Sequence, residues 1–339
     1  MKAVVYSKPG GPDVLRLVDR PVPEPGPGEV RVAVHVSAVN PTDWKARRAR
    51  NSRQLAFPEI VPNQDGAGTI DAVGDGVDTA RVGERVWIWE AAWRRPGGTA
   101  QEYVILAERQ AVRLPHHVSF DVGAALGIPA LTAHRCLTVS DLGPRRLRPG
   151  ALADRTVLVA GGAGAVGHAA IQLARWAGAR VITTVSSDKK AKLARAAGAD
   201  HVVNYLERGA ADQIRTFAPD GVEIVVDVAP AVNACLNAAV TGRDATVAAY
   251  ANDGGNELEL SISPLMFRNI RYQFVLIYTI RRDAKNQAVA DVAAAVGDAA
   301  LPVGEDAGLP LHRFRLDHVA QAHAAVEAAV VGKVLIDVR

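Results

Sequence analysis

Apolar residues follow two different rhythms along this 339-residue chain. Over residues 1–128 they come as short runs, at 2–6, 15–18, 29–38, 68–73, 85–89 and 102–106, separated by Pro and Gly. The segment PVPEPGPGE (21–29) is a stiff, turn-rich connector that opens onto a strand. Many short strands joined in this way predict a β-rich, barrel-like domain. Near residues 127–129 the pattern changes. Residues 131–139 read as a helix, and a basic loop, PRRLRPG, follows. From Thr156 onward, β-branched runs alternate with helical spacing, and strands are expected at 156–160, 180–185, 201–204, 223–228 and 246–250. That alternation predicts an α/β fold with a doubly wound parallel sheet. RYQFVLIYTI (271–280) reads as one more apolar strand, and 284–300 and 316–330 as helices with HRFRL between them. A last strand is expected at 333–338, and these late elements need not join the central sheet.

The stretch from Thr156 to Lys190 carries the most chemistry. A buried-type strand runs into Gly162-x-Gly164-x-x-Gly167, and a helical pattern follows at once. The first glycine allows a tight turn, the second lets backbone approach a pyrophosphate, and the third lets helix pack on strand. The helix start, with Ala165 and Val166, then offers unpaired N–H groups and a partial positive charge to the phosphates. A glycine-rich turn without a ligand is the competing reading; the strand before and the helix after favour the nucleotide.

The end of the second strand selects the cofactor. An NAD site usually carries an acidic residue there for the ribose 2′-hydroxyl. This chain reads Val185-Ser186-Ser187-Asp188-Lys189-Lys190 instead. Two hydroxyls, a helix start and cationic side chains suit a 2′-phosphate, which points to NADP. Asp188 dissents, although a first-turn acid also complements the helix dipole. Both lysines are equally readable as helix-surface side chains.

Composition narrows the class further. A net charge of only +3 gives no support to nucleic-acid binding. Cys136 and Cys235 are too few for a disulfide framework or a four-cysteine zinc site, and the nine histidines show no ligand spacing. No run is long enough to span a membrane, and the first six residues read as a strand rather than a signal peptide, so a soluble, cytoplasmic protein is expected.

Several segments together carry a family resemblance: MKAVVY at the start, VNPTDWKAR (39–47), DGAGTIDAVGDGV (65–77), GGTAQEYV (97–104), LTAHRCL (131–137), AGGAGAVGHAAIQLA (160–174), GADHVVNY (198–205) and GKVLIDV (332–338). The chain resembles the zinc-free, zeta-crystallin-like quinone oxidoreductases of the medium-chain dehydrogenase/reductase superfamily. The resemblance implies a barrel-like, GroES-like catalytic domain from both chain ends, 1–128 and 283–339, with a Rossmann domain at 129–282 between them. It also implies an active-site cleft between domains, NADPH as reductant, and a dimer or tetramer. The apolar, aromatic run 271–280 is a liability if exposed, so a homodimer joining such strands is expected, with a strand buried within one subunit as the alternative.

Zinc relatives carry an early cysteine and a Gly-His-Glu motif where this chain has Asn40 and Asn63-Gln64-Asp65. Neutral amides are poor zinc ligands, so no metal is expected. Without a Lewis acid, hydride delivery to an electrophilic acceptor is favoured over alcohol oxidation. Asn40, matching the family's active-site asparagine, is the candidate donor to the developing oxyanion, with capping of the 41–43 turn as its alternative. Asp43 and Trp44 follow it, and Thr132 is a candidate contact to nicotinamide or ribose. By the same carry-over, Lys190 and Tyr205 stand near the 2′-phosphate, and Tyr250 and Asn252 near the nicotinamide end. The basic run Arg47-Arg48-Arg50-Arg53 reads as a solvated loop or a hold on an acidic substrate, and the purpose of 144–155 is not readable. Three functions remain open: a quinone reductase, an enone or enoyl reductase, and an NADPH-binding protein with weak turnover and a structural role.

Overall fold

Strand β1 (Lys2–Val5) pairs antiparallel with β2 (Arg16–Asp19) at the start of the chain. The long β3 (Glu29–Val39) pairs antiparallel with β4 (Asp65–Val73), which continues to β5 (Arg85–Ile88). β6 (Tyr103–Ala107) pairs with the first half of β3, and β7 (Ala111–Arg113) extends β5. Val30, Val32, Val34, Ile70, Val86, Ile88, Val104 and Leu106 form one buried cluster across these strands. Helix α1 (Pro41–Arg47) starts where β3 ends, with Pro at its first turn and basic residues in its last. Helix α2 (Phe120–Thr138) is broken at Gly127, whose φ of 3° and ψ of −112° are not helical.

The central strands are β8 (Thr156–Ala160), β9 (Arg180–Val185), β10 (His201–Asn204), β11 (Val222–Asp227), β12 (Thr241–Ala249) and β13 (Arg271–Phe274). All pair in parallel, in the order β10-β9-β8-β11-β12-β13. This is the doubly wound order 3-2-1-4-5-6. Every residue of β8 is buried, which is why its sequence is a continuous apolar run rather than an alternation. Helices α3 (Ala165–Trp176), α4 (Asp188–Ala196), α5 (Ala210–Phe217) and α6 (Pro230–Val240) connect the first five strands, and a short α7 (Ile262–Met266) precedes β13. Helix α8 (Arg282–Gly297) follows it. The chain then returns to the first sheet with β14 (Leu311–Arg315), α9 (Val319–Glu327) and β15 (Lys333–Asp337), which pairs with the second half of β3.

The structure, a computed structural model, describes residues 1–49 and 54–339. It divides into Met1–Ile128 with Leu311–Arg339, and Pro129–Pro310. Three sequence expectations are corrected. The second boundary falls after Pro310 and not at 283, because α8 belongs to the nucleotide-type unit. There Asp291 accepts hydrogen bonds from His134 Nε2 (2.8 Å), Leu147 N (2.7 Å) and Arg146 Nε (2.7 Å). Burial would raise the Asp291 carboxyl, but His134, Arg146 and the Leu147 N–H hold it at about 2. The same contacts give the 144–155 stretch its structural purpose, with Leu147 and Leu152 buried beneath it. The strand expected over 271–280 stops at Phe274: β12 ends at Ala249, whose carbonyl takes Val275 N–H (2.7 Å), and no ladder remains beyond it. Ile277 and Tyr278 turn into the core instead. HRFRL is a strand and not a connector, paired in parallel with β15 and held by Arg313 against Asp337 and Asp121. No helix among the described residues is long and apolar enough to cross a membrane.

Candidate functional site

The turn after β8 is built from four glycines with different tasks. Positive φ falls on Gly161 (+75°), one residue before the motif. A Cβ on Gly162 would lie 2.2 Å from Thr183 Oγ1, so its task is close packing on β9. A Cβ on Gly167 would lie 2.3 Å from Gly161 O, so its task is to let α3 sit against the turn. Gly164 differs from both. It is exposed, it caps α3 with no side-chain bond, and a Cβ there would meet only Gly161 O at 3.5 Å. Ala165 and Val166 are half-buried in the first turn beyond it. An open glycine at a helix N-terminus with no side-chain cap bond leaves the first-turn N–H groups to an anion, and the residues fit a dinucleotide pyrophosphate.

The strand end brings together the residues singled out for the 2′-phosphate. Lys190 Nζ donates to Ser186 Oγ (2.9 Å), and Ser187 caps α4 by accepting from Lys190 N (3.4 Å). Tyr205 follows β10, its N–H donating to Val185 O (3.0 Å) beside this strand end, with an exposed ring. Asp188 is exposed in the first turn of α4. Tyr250 and Asn252 lie past the end of β12: Tyr250 N–H donates to Asp227 O (3.0 Å), while Asn252 is exposed and donates to Asn256. Thr132 is buried in α2.

Asn40 and Asp43 belong to the first unit, where they enter a buried polar cluster. Asn40 N–H donates to Asp43 Oδ2 (2.6 Å), the return half of a capping box at the start of α1. The Asn40 side chain is occupied at both ends. Its Nδ2 donates to Asp65 Oδ2 (2.7 Å), and its Oδ1 accepts from Lys333 Nζ (2.6 Å). Ile128 N–H donates to both Asp65 oxygens (3.0 Å each). A Cβ on Gly127 would lie 2.0 Å from Asp65 Oδ1, so the break in α2 needs glycine. Burial raises the Asp65 carboxyl to about 6, with Lys333, Asn40 and the Ile128 N–H pulling it down. Burial likewise raises Asp43 and lowers Lys333.

A second chain of buried groups supports the 63–65 turn. His323 Nε2 meets Asn63 Oδ1 (3.0 Å), Asn63 Nδ2 donates to Ser37 Oγ (2.9 Å), Ser37 pairs with Thr99 Oγ1 (2.7 Å), and Thr99 donates to Asp65 O (2.6 Å). These contacts hold Asn63 at φ +77°, a conformation rare outside glycine. Burial pushes His323 down to about 3, so it is neutral. Arg47 and Arg48, from the basic run, both donate to Glu327 (2.8 and 2.7 Å). Arg50 and Arg53 lie outside the described residues.

An alcohol dehydrogenase GroES-like domain profile matches residues 26–116, and a zinc-binding dehydrogenase profile matches 165–294. The quinone oxidoreductase of Rattus norvegicus is 38% identical over 230 residues, 67% of this chain and 66% of that one. A solved NAD-dependent alcohol dehydrogenase superposes over all of both chains with TM-score 0.86 and 30% identity. A mycobacterial protein solved with NADPH superposes over 99% of each chain with TM-score 0.81 and 30% identity. The chain is a medium-chain dehydrogenase/reductase. The superfamily is one of oxidoreductases, and this member's GroES-like and parallel-sheet parts correspond to the two profiles.

The residues of this medium-chain dehydrogenase/reductase do not fit the zinc that one profile name implies. Asn63 and Asn40 are hydrogen-bonded at both ends of their amides, Gln64 Oε1 accepts from Ala92 N–H (3.1 Å), and both Asp65 oxygens are occupied. The cation among them is the Lys333 ammonium. Among the described residues no group of three or more His, Cys, Asp or Glu side chains is arranged to hold a metal. Lys333 escaped the sequence reading, while His323 is the buried core histidine expected of it. The one available signal was a lysine opening an otherwise apolar run, KVLID.

Proposed function

We propose that this medium-chain reductase transfers a hydride from NADPH to a quinone without a metal. The Asn40–Asp65–Lys333 cluster carries the reading: Asn40 and Asp65, which by resemblance match ligand positions of zinc relatives, are taken up by hydrogen bonds to each other and to the Lys333 ammonium. Bound at the Gly164 cradle, the cofactor supplies the hydride. Ser186, Ser187 and Lys190 favour the 2′-phosphate of NADPH, an acceptor-rich dianion, over a bare ribose hydroxyl. Hydride arrival puts negative charge on the acceptor oxygen. Asn40, with one Nδ2 proton beyond the one given to Asp65, supplies a donor to that oxygen. Thr132, Tyr250 and Asn252 are assigned to the nicotinamide end, and Tyr205 to the neighbourhood of the 2′-phosphate. The naming of the rat relative and the NADPH bound by the mycobacterial one support this choice of partners.

The Asn40 donor also favours a second reading, reduction of an α,β-unsaturated carbonyl, because an enone depends more on help at its oxygen than a quinone does. Steady-state NADPH oxidation with a quinone and with a small enone, side by side, separates the two. Tight NADPH binding with negligible turnover on both acceptors leaves the binding-protein alternative instead. We further propose a cytoplasmic homodimer joined along β13, the outermost strand of its sheet, where Phe274 (62% exposed) and Leu276 (50%) face outward near Phe267 (80%) in sequence. A sheet edge with such residues is otherwise an aggregation site.

A further inference from the structure

The Asn40 amide stands between two buried groups of opposite hydrogen-bonding character. An ammonium has three donors and no acceptor, and an ionised carboxylate has acceptors only. Lys333 Nζ lies 2.6 Å from Oδ1 and also donates to Val39 O at 3.4 Å. Asp65 Oδ2 lies 2.7 Å from Nδ2. Asn40, Asp65 and Lys333 are all buried, so water does not soften either contact. Turning the amide over would set its NH₂ against the ammonium and its carbonyl against the carboxylate. Both contacts would become repulsive in a medium of low dielectric. Only one orientation of Asn40 therefore satisfies the pocket. The charged donor on its carbonyl also draws electron density from the amide, which strengthens the Nδ2 protons as donors.

An ammonium leaves water at high cost unless it is compensated. Resting on the reading of Asn40 as the oxyanion donor, we propose that Lys333 is a positioning residue for hydride transfer. Together with Asp65 it locks the Asn40 amide in one orientation and polarises it, so that the second Nδ2 proton is presented to the acceptor oxygen.

The test is a double-mutant cycle in the NADPH-dependent reduction of an enone, with Asn40→Ala, Lys333→Met and the pair. Lys333→Met should lower kcat about ten-fold or more while NADPH affinity stays unchanged, by the cost of weakening one oxyanion donor. Because Lys333 acts through Asn40, the pair should turn over no more slowly than Asn40→Ala alone. Losses that multiply, or full kcat in Lys333→Met, would overturn the proposal. If Lys333→Met fails to fold, Lys333→Met with Asp65→Asn removes both charges as a neutral pair. Lowered kcat in that variant supports the lock, and full kcat overturns it. Neutron diffraction on the unmodified protein reads the amide without turnover. Deuterons on the atom facing Asp65 support the lock, and deuterons on the atom facing Lys333 overturn it. An unmodified protein that reduces neither quinone nor enone sinks the reductase reading, while the neutron result still decides the orientation.

Discussion

Adding one methyl group at Gly164 or at Gly167 should damage different properties. At Gly167 the new Cβ would sit 2.3 Å from Gly161 O and 3.0 Å from both Gly161 C and Gly162 Cα. All three are backbone atoms, so the turn itself must move. Overpacking of this kind costs about 1–3 kcal/mol, and Gly167→Ala should unfold at a clearly lower temperature. At Gly164 the Cβ would meet only Gly161 O, at an ordinary 3.5 Å, and the backbone there (φ −84°, ψ 159°) suits alanine. Gly164→Ala should therefore shift its melting temperature by only a few degrees without ligand, since the N-cap preference for Gly over Ala is offset by the about 0.4–1 kcal/mol that Ala gains by restricting the unfolded chain at a compatible backbone conformation. Its methyl group instead occupies the space through which a pyrophosphate reaches the first turn of α3. Losing one charge-assisted hydrogen bond costs about 1.5–3 kcal/mol, which corresponds to an NADPH affinity weaker by about ten- to a hundred-fold. Thermal melting with and without NADPH, beside a fluorescence titration, measures both effects. Unchanged NADPH affinity in Gly164→Ala would refute the cradle.

Lys190→Ala should weaken NADPH by about ten-fold or more and leave NADH nearly unchanged, by the same charged-hydrogen-bond cost; equal affinities for the two cofactors in the unmodified protein would contradict this. Phe274→Lys on β13 should convert a dimer to a monomer in sedimentation, and an unmodified protein that is already monomeric at micromolar concentration would rule the interface out. His168 is buried, with Nε2 donating to Ala307 O (2.8 Å), and burial lowers it to about 4. The unfolded chain takes up this proton near pH 6.5 but the native state only near 4, so stability is fully present above about 6.5 and is lost as pH falls toward 4, by up to about 1.4 kcal/mol per pH unit. His168→Gln, which keeps an N–H for Ala307, lacks that slope; its deficit in melting temperature should shrink between about pH 7 and pH 4.5, and a constant deficit would contradict the assignment.

The parallel sheet was legible because β8, β9 and β11 are largely covered on both faces and so appear as near-continuous apolar runs rich in β-branched residues. The glycine turn was legible because close backbone approach removes side chains at fixed spacing. Its division of labour was not, since the positive φ at Gly161 lies outside the motif. The Asn40 cluster shows the limit of local reading. Lys333 is 293 positions from Asn40, and His323 is 260 from Asn63. No periodicity links residues so distant, and a lysine is ordinarily read as a surface residue. The 144–155 stretch was opaque for the same reason: Asp291, which anchors it, comes 145 positions after Arg146. The length of β13 could not be read from its own apolar run, because it is set by where β12 ends.

The central claim is a hydride transfer from NADPH that needs no metal. It is tested most directly by the rate of NADPH oxidation with a quinone before and after exhaustive chelation. The Asn40–Asp65–Lys333 cluster predicts the same rate in both samples, with no stoichiometric zinc by elemental analysis. A rate lost on chelation and restored by added zinc would contradict the account.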